Sequence, residues 1–435
     1  MVDPLIRIGR NDVLTAELLQ KYIKDYDTTA YSGLILLPSS YHVPREDVTA
    51  GRYAVLGEAY DNGYASYKLP PKPLWRPDNR VSGNYAKRIT DDFEGFFLGK
   101  PIVITSEDKA VQEYVDDING RIGADDLDAQ LSTMVSIYGR AYRIPYFDEN
   151  GDIGAANLAP TGAFGIYDEA ITPKMRYFVR YYRGVDRMLH GSVSDDTSIR
   201  YFDIDNELVF TEERAHDFRG VPCVEFSAND SYRGLFEDVL PAINSYNKAL
   251  GEKLNDIDAF AEAYLKIIGA ELADGALNAI RDTRVINVAE PKEGVDIGFL
   301  DRPSGDATQE HALDRLERLI FSMSMVCDTN SDSFPNASGT AMRWRMFPMI
   351  NLAARKWRKF HKGLTDFYRL VMDIPGEHLP DRAWESLTMT HVLNYPDEAE
   401  TTTDEGTEAT DRIGSEKKEQ QAMKEEGNDN SDDNA

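Results

Sequence analysis

The sequence is poor in cysteine and in long apolar runs, and both shortages exclude whole classes of protein. Its 435 residues include two cysteines, Cys223 and Cys327, too few for a disulfide framework or a cysteine-based zinc site. No apolar run reaches the roughly 18 residues that a membrane-spanning helix needs. The N-terminus also lacks the basic start and apolar centre of a signal peptide. We therefore expect a soluble protein that is made and kept in the cytosol.

Recognisable catalytic and ligand-binding motifs are also missing. Gly95–Pro101 imitates a phosphate-binding loop, but it has three residues between its glycines and Pro101 where Ser or Thr must hold magnesium. Residues 328–339 open like a calcium loop, yet Ser333 and Gly339 replace the required Gly and Glu. The seven histidines are isolated from one another. The sequence thus predicts no catalytic residue, no metal site, no cofactor and no enzyme.

Positive charge is scarce, because 48 Lys and Arg face 75 Asp and Glu, for a net charge of −27. Asp404–Asp433 holds eleven acids against four bases, and so few residues of 401–435 could pack in a core that this tail is predicted to be disordered. An acidic body argues against a protein that grips nucleic acid, since phosphate binding needs Lys and Arg. It is compatible with a surface that DNA passes without adhering, and equally with acidity that only maintains solubility.

One segment reverses this charge. From Ala341 to Arg369 the chain has eight bases and the single acid Asp366. A solvated helix face with salt bridges would explain this, and so would contact with a nucleic-acid backbone or an acidic partner subunit. Trp344 and Trp357 are expected to pack rather than to stack on bases. The bases predicted to contact DNA or a neighbouring subunit are Arg343, Arg345, Arg355, Lys356, Arg358 and Lys359.

The strongest periodic signal runs from Leu235 to Gly269. Apolar residues recur there in steps of three and four, and Pro241 stands near the front, where a missing N–H costs little. The pattern predicts one helix of roughly 45 to 50 Å, too long for a compact globule to enclose. The residues predicted to form its packing or oligomer interface are Ile243, Leu250, Leu254 and Ile257.

A small excursion follows this helix. Residues 270–305 are predicted to form a short helix and two strands, after which Thr308 opens a second amphipathic helix as its capping residue. The order is therefore rod, small domain, rod. A polar loop at 327–339 and another long helix at 340–372 complete this part of the chain.

The residues before the long helix predict an α+β region with mainly antiparallel strands in one sheet. A turn-rich arm without regular period occupies residues 1 to about 75, except for a short helix at 14–26. Helices are expected at 85–96 and at 124–138, the second ending at Gly139. The predicted hairpin turn is at 148–152, and the predicted strands are at 102–104, 164–167, 175–182, 198–203, 207–211 and 223–226.

Five stretches, taken together and in this order, resemble tailed-bacteriophage portal proteins of the siphovirus type. They are NRVSGNYAKRITDDFEGFFLGKPI (79–102), YGRAYRIPYFDENG (138–151), GVPCVEFSAND (220–230), INSYNKALGEKLNDIDAFAEAYLKIIG (243–269) and SGTAMRWRMFPMINLAARKWRKFHKGL (338–364). No one of them is decisive, but five in the family's order are specific.

The resemblance implies a portal fold that is α+β in class. Its regions would be an α/β wing at 1–234 with an N-terminal arm at 1–78, stem helices at 235–269 and 306–326, a small α/β clip at 270–305, a tunnel loop at 327–338, a long wing helix at 339–372, a short helical crown at 373–400 and the disordered acidic tail.

The resemblance also implies a function. The chain would form a ring, dodecameric in this family, at one capsid vertex, through which double-stranded DNA is packaged and ejected. Implied partners are further copies of the chain, DNA, the terminase large subunit, the major capsid or scaffold protein and a head-completion adaptor, without a membrane. The ring would be assembled in the host cytoplasm and end in the virion, while ATP hydrolysis would belong to terminase.

The resemblance also leads to predictions of which residues face the channel. The stem acids predicted to face it are Glu252, Asp256 and Asp258. The tunnel-loop residues predicted to approach DNA are Asp328, Asn330, Ser331, Asp332, Phe334, Asn336 and Ser338. Two alternatives stay open: a helical scaffold or adaptor of the virion that conducts no DNA, and a nucleic-acid-processing enzyme whose site the sequence does not reveal.

Overall fold

The structure is a computed structural model that describes residues 5–28, 51–64, 67, 70–73, 76–186, 188–261, 265–268, 296–299, 306–329, 339–374 and 379–395. These residues confirm the predicted α+β class, and those of them up to Asn394 form one compact unit. None of the helices in the described ranges has a stretch long and apolar enough to cross a membrane. The predicted disordered tail lies outside these ranges.

The helices of the described residues are α1 (Ala16–Thr28), α2 (Arg52–Tyr60), α3 (Tyr85–Phe97), α4 (Lys109–Ile122), α5 (Ala124–Tyr138), α6 (Leu240–Ala261), α7 (Asp306–Ser324) and α8 (Gly339–Met372). The strands are β1 (Ile6–Arg7), β2 (Val103–Ser106), β3 (Arg140–Phe147), β4 (Ile153–Leu158), β5 (Ala163–Tyr167), β6 (Met175–Arg183), β7 (Leu189–Ser194), β8 (Ser198–Ile204), β9 (Leu208–Ala215), β10 (Val224–Ser227), β11 (Leu265–Ile268), β12 (Asp296–Phe299) and β13 (Leu387–Thr390).

A six-stranded sheet in the order β1-β5-β6-β7-β8-β9 forms one layer of the body. β1 pairs with β5 in parallel, and the other neighbours are antiparallel, as the sequence predicts for most of these strands. The prediction of one shared sheet was wrong, because β2 and β10 belong to smaller sheets. Alternation places Val179, Val193 and Phe202 on the buried face of the sheet, each no more than 1% exposed. Helix α1 packs on β9 and buries Leu19 and Ile23 in the same core.

A three-stranded sheet in the order β10-β3-β4 contains the predicted hairpin. Its turn is closed by the Asp148 N–H, which donates to the Asp152 carbonyl at 2.9 Å, while the Asp148 carboxylate accepts from two backbone N–H groups. Gly151 adopts a φ of 84°, which suits glycine. The hairpin prediction at 148–152 is therefore confirmed.

Helix α5 joins this sheet to the rest of the core and has the predicted bounds. It ends at Gly139, where φ is 82° and an added Cβ would stand 2.1 Å from the Tyr232 carbonyl oxygen. No other residue fits both the left-handed backbone and the close approach. This glycine fixes where the helix stops and where β3 begins.

The long helix predicted for 235–269 is shorter in the structure. Helix α6 covers Leu240–Ala261, and Leu265–Ile268 instead forms β11, antiparallel to β12. The apolar period continues beyond Ala261, but pairing with a strand far along the chain decides the local structure. Thr308 is not the cap of the second helix, because α7 already begins at Asp306. The rest of the predicted clip, 270–295 and 300–305, lies outside the described residues.

Three further features differ from the predictions. The arm that was expected to lack regular structure contains α2, and the segment between β2 and α5 contains the unpredicted helix α4. The expected helical crown is not helical over 379–395, where a 3₁₀ turn at Ala383–Ser386 leads into β13, which pairs with β2. The open edge of β2 and the alternating LTMT sequence favour a strand over a helix there.

Candidate functional site: the helix pair and the long basic helix

Helices α6 and α7 pack against each other as an antiparallel pair. At one end Gln309 donates to the Asp256 carboxylate at 2.9 Å, and Lys253 forms an ion pair with Glu310. These contacts join the C-terminal part of α6 to the first turn of α7. The sequence prediction of two consecutive helices that associate is therefore confirmed within the described residues.

Tyr85, the first residue of α3, fixes the other end of the pair to the body. Its ring packs edge-on against Tyr246 of α6 and Phe321 of α7, with centroids 5.0 and 5.9 Å away. Its hydroxyl donates to Glu317 at 2.9 Å. Burial is the largest cause that raises the pKa of Tyr85, and Tyr246 and Glu317 add to it. One side chain thus touches both helices and remains a neutral donor.

The segment after α7 leads towards the predicted tunnel loop. Asp328, the first of the predicted loop residues, accepts from Arg88 of α3 at 2.8 Å, and the Arg88 guanidinium also lies over the Phe321 ring. A cavity of about 360 Å³ separates this segment from Arg345 and Pro348 of α8. The remaining predicted loop residues, which lie outside the described ranges, are Asn330, Ser331, Asp332, Phe334, Asn336 and Ser338.

The three stem acids each bind a group of the same chain. Both oxygens of Glu252 lie 3.0 Å from the Lys72 ammonium, and Asp258 accepts from the Asn79 side-chain amide at 2.5 Å. Asp256 accepts from Gln309, as above. Their predicted role at the channel wall stays a prediction.

The four residues predicted for the packing or oligomer interface differ in burial. Ile243 is fully buried and belongs to the core of its own chain. Leu250 and Leu254 are partly buried, whereas Ile257 is 53% exposed. Of these four, Ile257 has the side chain with most surface left for a neighbour.

Lys356 corrects the predicted basic surface. It is 3% exposed, and its ammonium donates to Glu94 at 2.5 Å and to the hydroxyls of Ser132 and Ser136 at 2.7 and 2.9 Å. Burial lowers the pKa of Lys356, and the Glu94 charge opposes that shift. The residue therefore anchors α8 to α3 and α5 and has no surface to offer to DNA or to another subunit.

The other predicted bases lie nearer to solvent. Lys359 pairs with Asp230, whose pKa this contact lowers. The predicted bases on the exposed surface of α8 are Arg343, Arg345, Arg355 and Arg358. Counting charges along the sequence missed the difference between Lys356 and these residues. The helical phase reveals it, because position 356 follows the buried positions 349 and 353 at steps of three and four.

The sequence analysis assigned Trp344 wrongly and overlooked Phe347. Trp344 was expected to pack, yet it is 71% exposed, and Phe347 is 51% exposed. Their rings lie 6.0 Å apart on the N-terminal part of α8. Trp357 does pack, since it stacks on His391 at 4.4 Å.

Across the described residues, no three His, Cys, Asp or Glu side chains converge in a way that could hold a metal ion. The arrangement consists of two paired helices, which Tyr85 of α3 contacts, and one long helix, which Lys356 joins to Glu94 of α3.

The chain is similar to a protein family and to a protein of known name. A family model described as phage portal protein, SPP1 Gp6-like, matches residues 43–419, a span that includes the helix pair and the long helix. The portal protein of Bacillus phage SPP1 is 22% identical over 347 residues, which cover 72% of this chain and 67% of that protein.

Proposed function

The chain belongs to the phage portal protein family of the SPP1 Gp6-like type, and on that premise we propose that it forms a dodecameric ring at one vertex of a phage capsid. Double-stranded DNA is packaged and ejected through the channel of this ring. The observation that carries the proposal is the family match over residues 43–419. In this proposal the chain is a virion component that docks terminase, capsid or scaffold protein and a head-completion adaptor.

The described elements fit the regions of such a ring. We assign α6 and α7 to the stem, the paired strands β11 and β12 to the clip, the sheets and helices before α6 to the wing, and α8 to the long wing helix. The antiparallel α6–α7 contacts support the stem assignment, because they join two helices that flank an excursion of the chain. The 3₁₀ turn and β13 replace the helical crown in this scheme.

The proposed mechanism is electrostatic and mechanical, without catalysis by this chain. The net charge of −27 per subunit includes about −7 from the acidic tail, and the remaining acidic body gives a wall that repels the phosphates of a duplex, so DNA can slide with little adhesion. The loop at 330–338 connects Asp328, which Arg88 holds, to α8, which Lys356 anchors. Arg88 thus ties the N-terminal end of the loop to α3, Lys356 ties α8 to α3 farther along that helix, and the loop itself meets DNA. ATP hydrolysis belongs to a separate terminase.

Deletion of residues 330–337 tests this function, because it removes the proposed DNA-contacting loop and keeps the anchored Asp328. We expect light scattering to show rings of unchanged mass and packaging assays to show impaired filling or retention of DNA. Normal genome filling by the deletion variant would contradict the loop assignment. Wild-type chain that stays monomeric at every concentration would contradict the ring itself.

A further inference from the structure

The N-terminal part of α8 carries an exposed surface that the proposed channel does not explain. This aromatic–basic patch consists of Arg343, Trp344, Arg345 and Phe347, all exposed. Trp344 and Phe347 are among the large apolar side chains with most exposed area, at 71% and 51%. Trp and Arg are the residue types most enriched at the energetic centres of protein interfaces.

Helical geometry fixes the side of α8 on which Trp344 and Phe347 lie. Trp344 and Phe347 share a face with Arg355 and Arg358, because positions 3, 11 and 14 residues after Trp344 all lie within about 60° of it around the helix. The opposite face holds Met346 and Met349, which are 8% and 4% exposed, and farther along Ala353 and Lys356. Rotating α8 to bury the two rings would pull Lys356 away from Glu94, so the rings stay outside.

The positive charge of the patch indicates what kind of partner can bind it. Ala341–Arg369 has eight bases and one acid, Asp366, and among the described residues Arg345 and Arg358 form no ion pair. The occupant must therefore be acidic and must also offer apolar area to cover Trp344 and Phe347. A DNA backbone offers phosphates but little apolar area, whereas a second copy of this chain, with its net charge of −27, offers both.

We infer that the aromatic–basic patch is the docking surface for the acidic side of a second copy of the chain. Two such patches repel each other, so the contact is heterologous and head-to-tail, which is the type that closes into a ring. The inference rests on the proposed function for the existence of a ring, and it adds the face by which each subunit holds the next.

Two variants of the full-length chain test this interface by mass photometry. W344A/F347A removes the apolar area and R343E/R345E reverses the charge. The matched control is Y182A/V209A, which truncates two side chains that are 64% and 60% exposed on the six-stranded sheet. We expect both patch variants to weaken ring assembly about tenfold or more, and the control to assemble like the wild type.

Circular dichroism and thermal unfolding verify that each variant folds, and if W344A/F347A unfolds, R343E/R345E decides. Rings that persist in both patch variants overturn the inference and leave the proposed function intact. Rings that persist while DNA passage is lost assign the patch to DNA instead. A wild-type chain without rings overturns the proposed function together with this interface.

Discussion

Lys356 and Lys72 each bind a glutamate of the same chain, Glu94 at 2.5 Å and Glu252 at 3.0 Å. The first pair fixes the long helix α8, and its side chains are 4% and 11% exposed. The second ties α6 to the segment at 70–73, and its side chains are 30% and 53% exposed. Loss of the lysine should therefore cost different amounts in the two pairs, because the buried Glu94 would be left without its counter-charge whereas water would solvate the exposed Glu252.

Breaking the buried pair has the largest expected effect. K356A leaves Glu94 charged and buried, which destabilises a protein by about 3–5 kcal/mol. Urea unfolding of the variant measures this loss. The control is R358A, two residues along the same helix but exposed, with an expected change within about 0.5 kcal/mol.

A double variant distinguishes the loss of the Lys356–Glu94 attraction from the cost of leaving Glu94 buried without a counter-charge. K356M/E94L removes both partners, and we expect it to be less destabilised than K356A, since no uncompensated charge remains. If K356A costs less than about 1 kcal/mol, the buried pair is not an anchor and the contrast with Lys72 disappears.

The junction at Tyr85 should give an intermediate effect. Y85F keeps the ring between Tyr246 and Phe321 but removes the hydroxyl that donates to Glu317. A hydrogen bond to a charged group contributes about 1.5–3 kcal/mol, and we expect the lower end because Glu317 is only partly buried. The matched control is Y67F, whose hydroxyl contacts Ser82 at the surface. Equal losses in the two variants would contradict a special role for Tyr85.

Acid should weaken the side of α8 that packs on His391. This histidine donates to the Phe97 carbonyl at 2.6 Å and stacks on Trp357, and burial lowers its pKa from 6.5. The unfolded chain then binds a proton more readily than the folded chain, so stability falls as the pH drops below 6.5 towards the folded pKa. We expect H391Q to lose less stability than the wild type between pH 6.5 and pH 5, measured by thermal unfolding.

The pKa of His190 is shifted in the opposite direction from the pKa of His391. Hydrogen bonds to Asp203 and Asp186 raise its pKa, so its contribution is complete below 6.5 and is lost as the pH rises through the folded pKa. An H190Q variant should therefore change the pH profile in the opposite direction from H391Q. Parallel changes in the two variants would contradict the assignment of burial as the cause at His391.

The exposed pair should give the smallest effect. K72A removes the contact with Glu252, and we expect a loss of about 0–1 kcal/mol that vanishes in 1 M salt, where the screening length is about 3 Å. The control is K109A, because the Lys109–Glu113 pair is even more exposed. A loss as large as that of K356A would show that exposure does not govern the two pairs.

The features that short-range chemistry determines were predictable from the sequence. Helix α5 has its predicted bounds because Gly139 stops it, and the hairpin at 148–152 forms because Asp148 and Gly151 build its turn. The end of α6 was not predictable from its apolar period, since β12, far along the chain, pairs with Leu265–Ile268.

The site was harder to predict than the fold. The basic segment was visible as a charge excess, but charge alone does not distinguish a buried Lys356 from an exposed Arg358. Glu94, its partner, lies 262 residues away in the sequence. Exposure of Trp344 likewise depends on which face of α8 the core covers, although the steps from Met349 to Ala353 and Lys356 contain that information.

Negative-stain electron microscopy of the purified full-length chain tests the central claim most directly. The portal assignment predicts rings of uniform diameter with a stain-filled central pore in end-on views. Monomers, or particles that lack a pore, would contradict a DNA channel and favour the helical scaffold or adaptor instead.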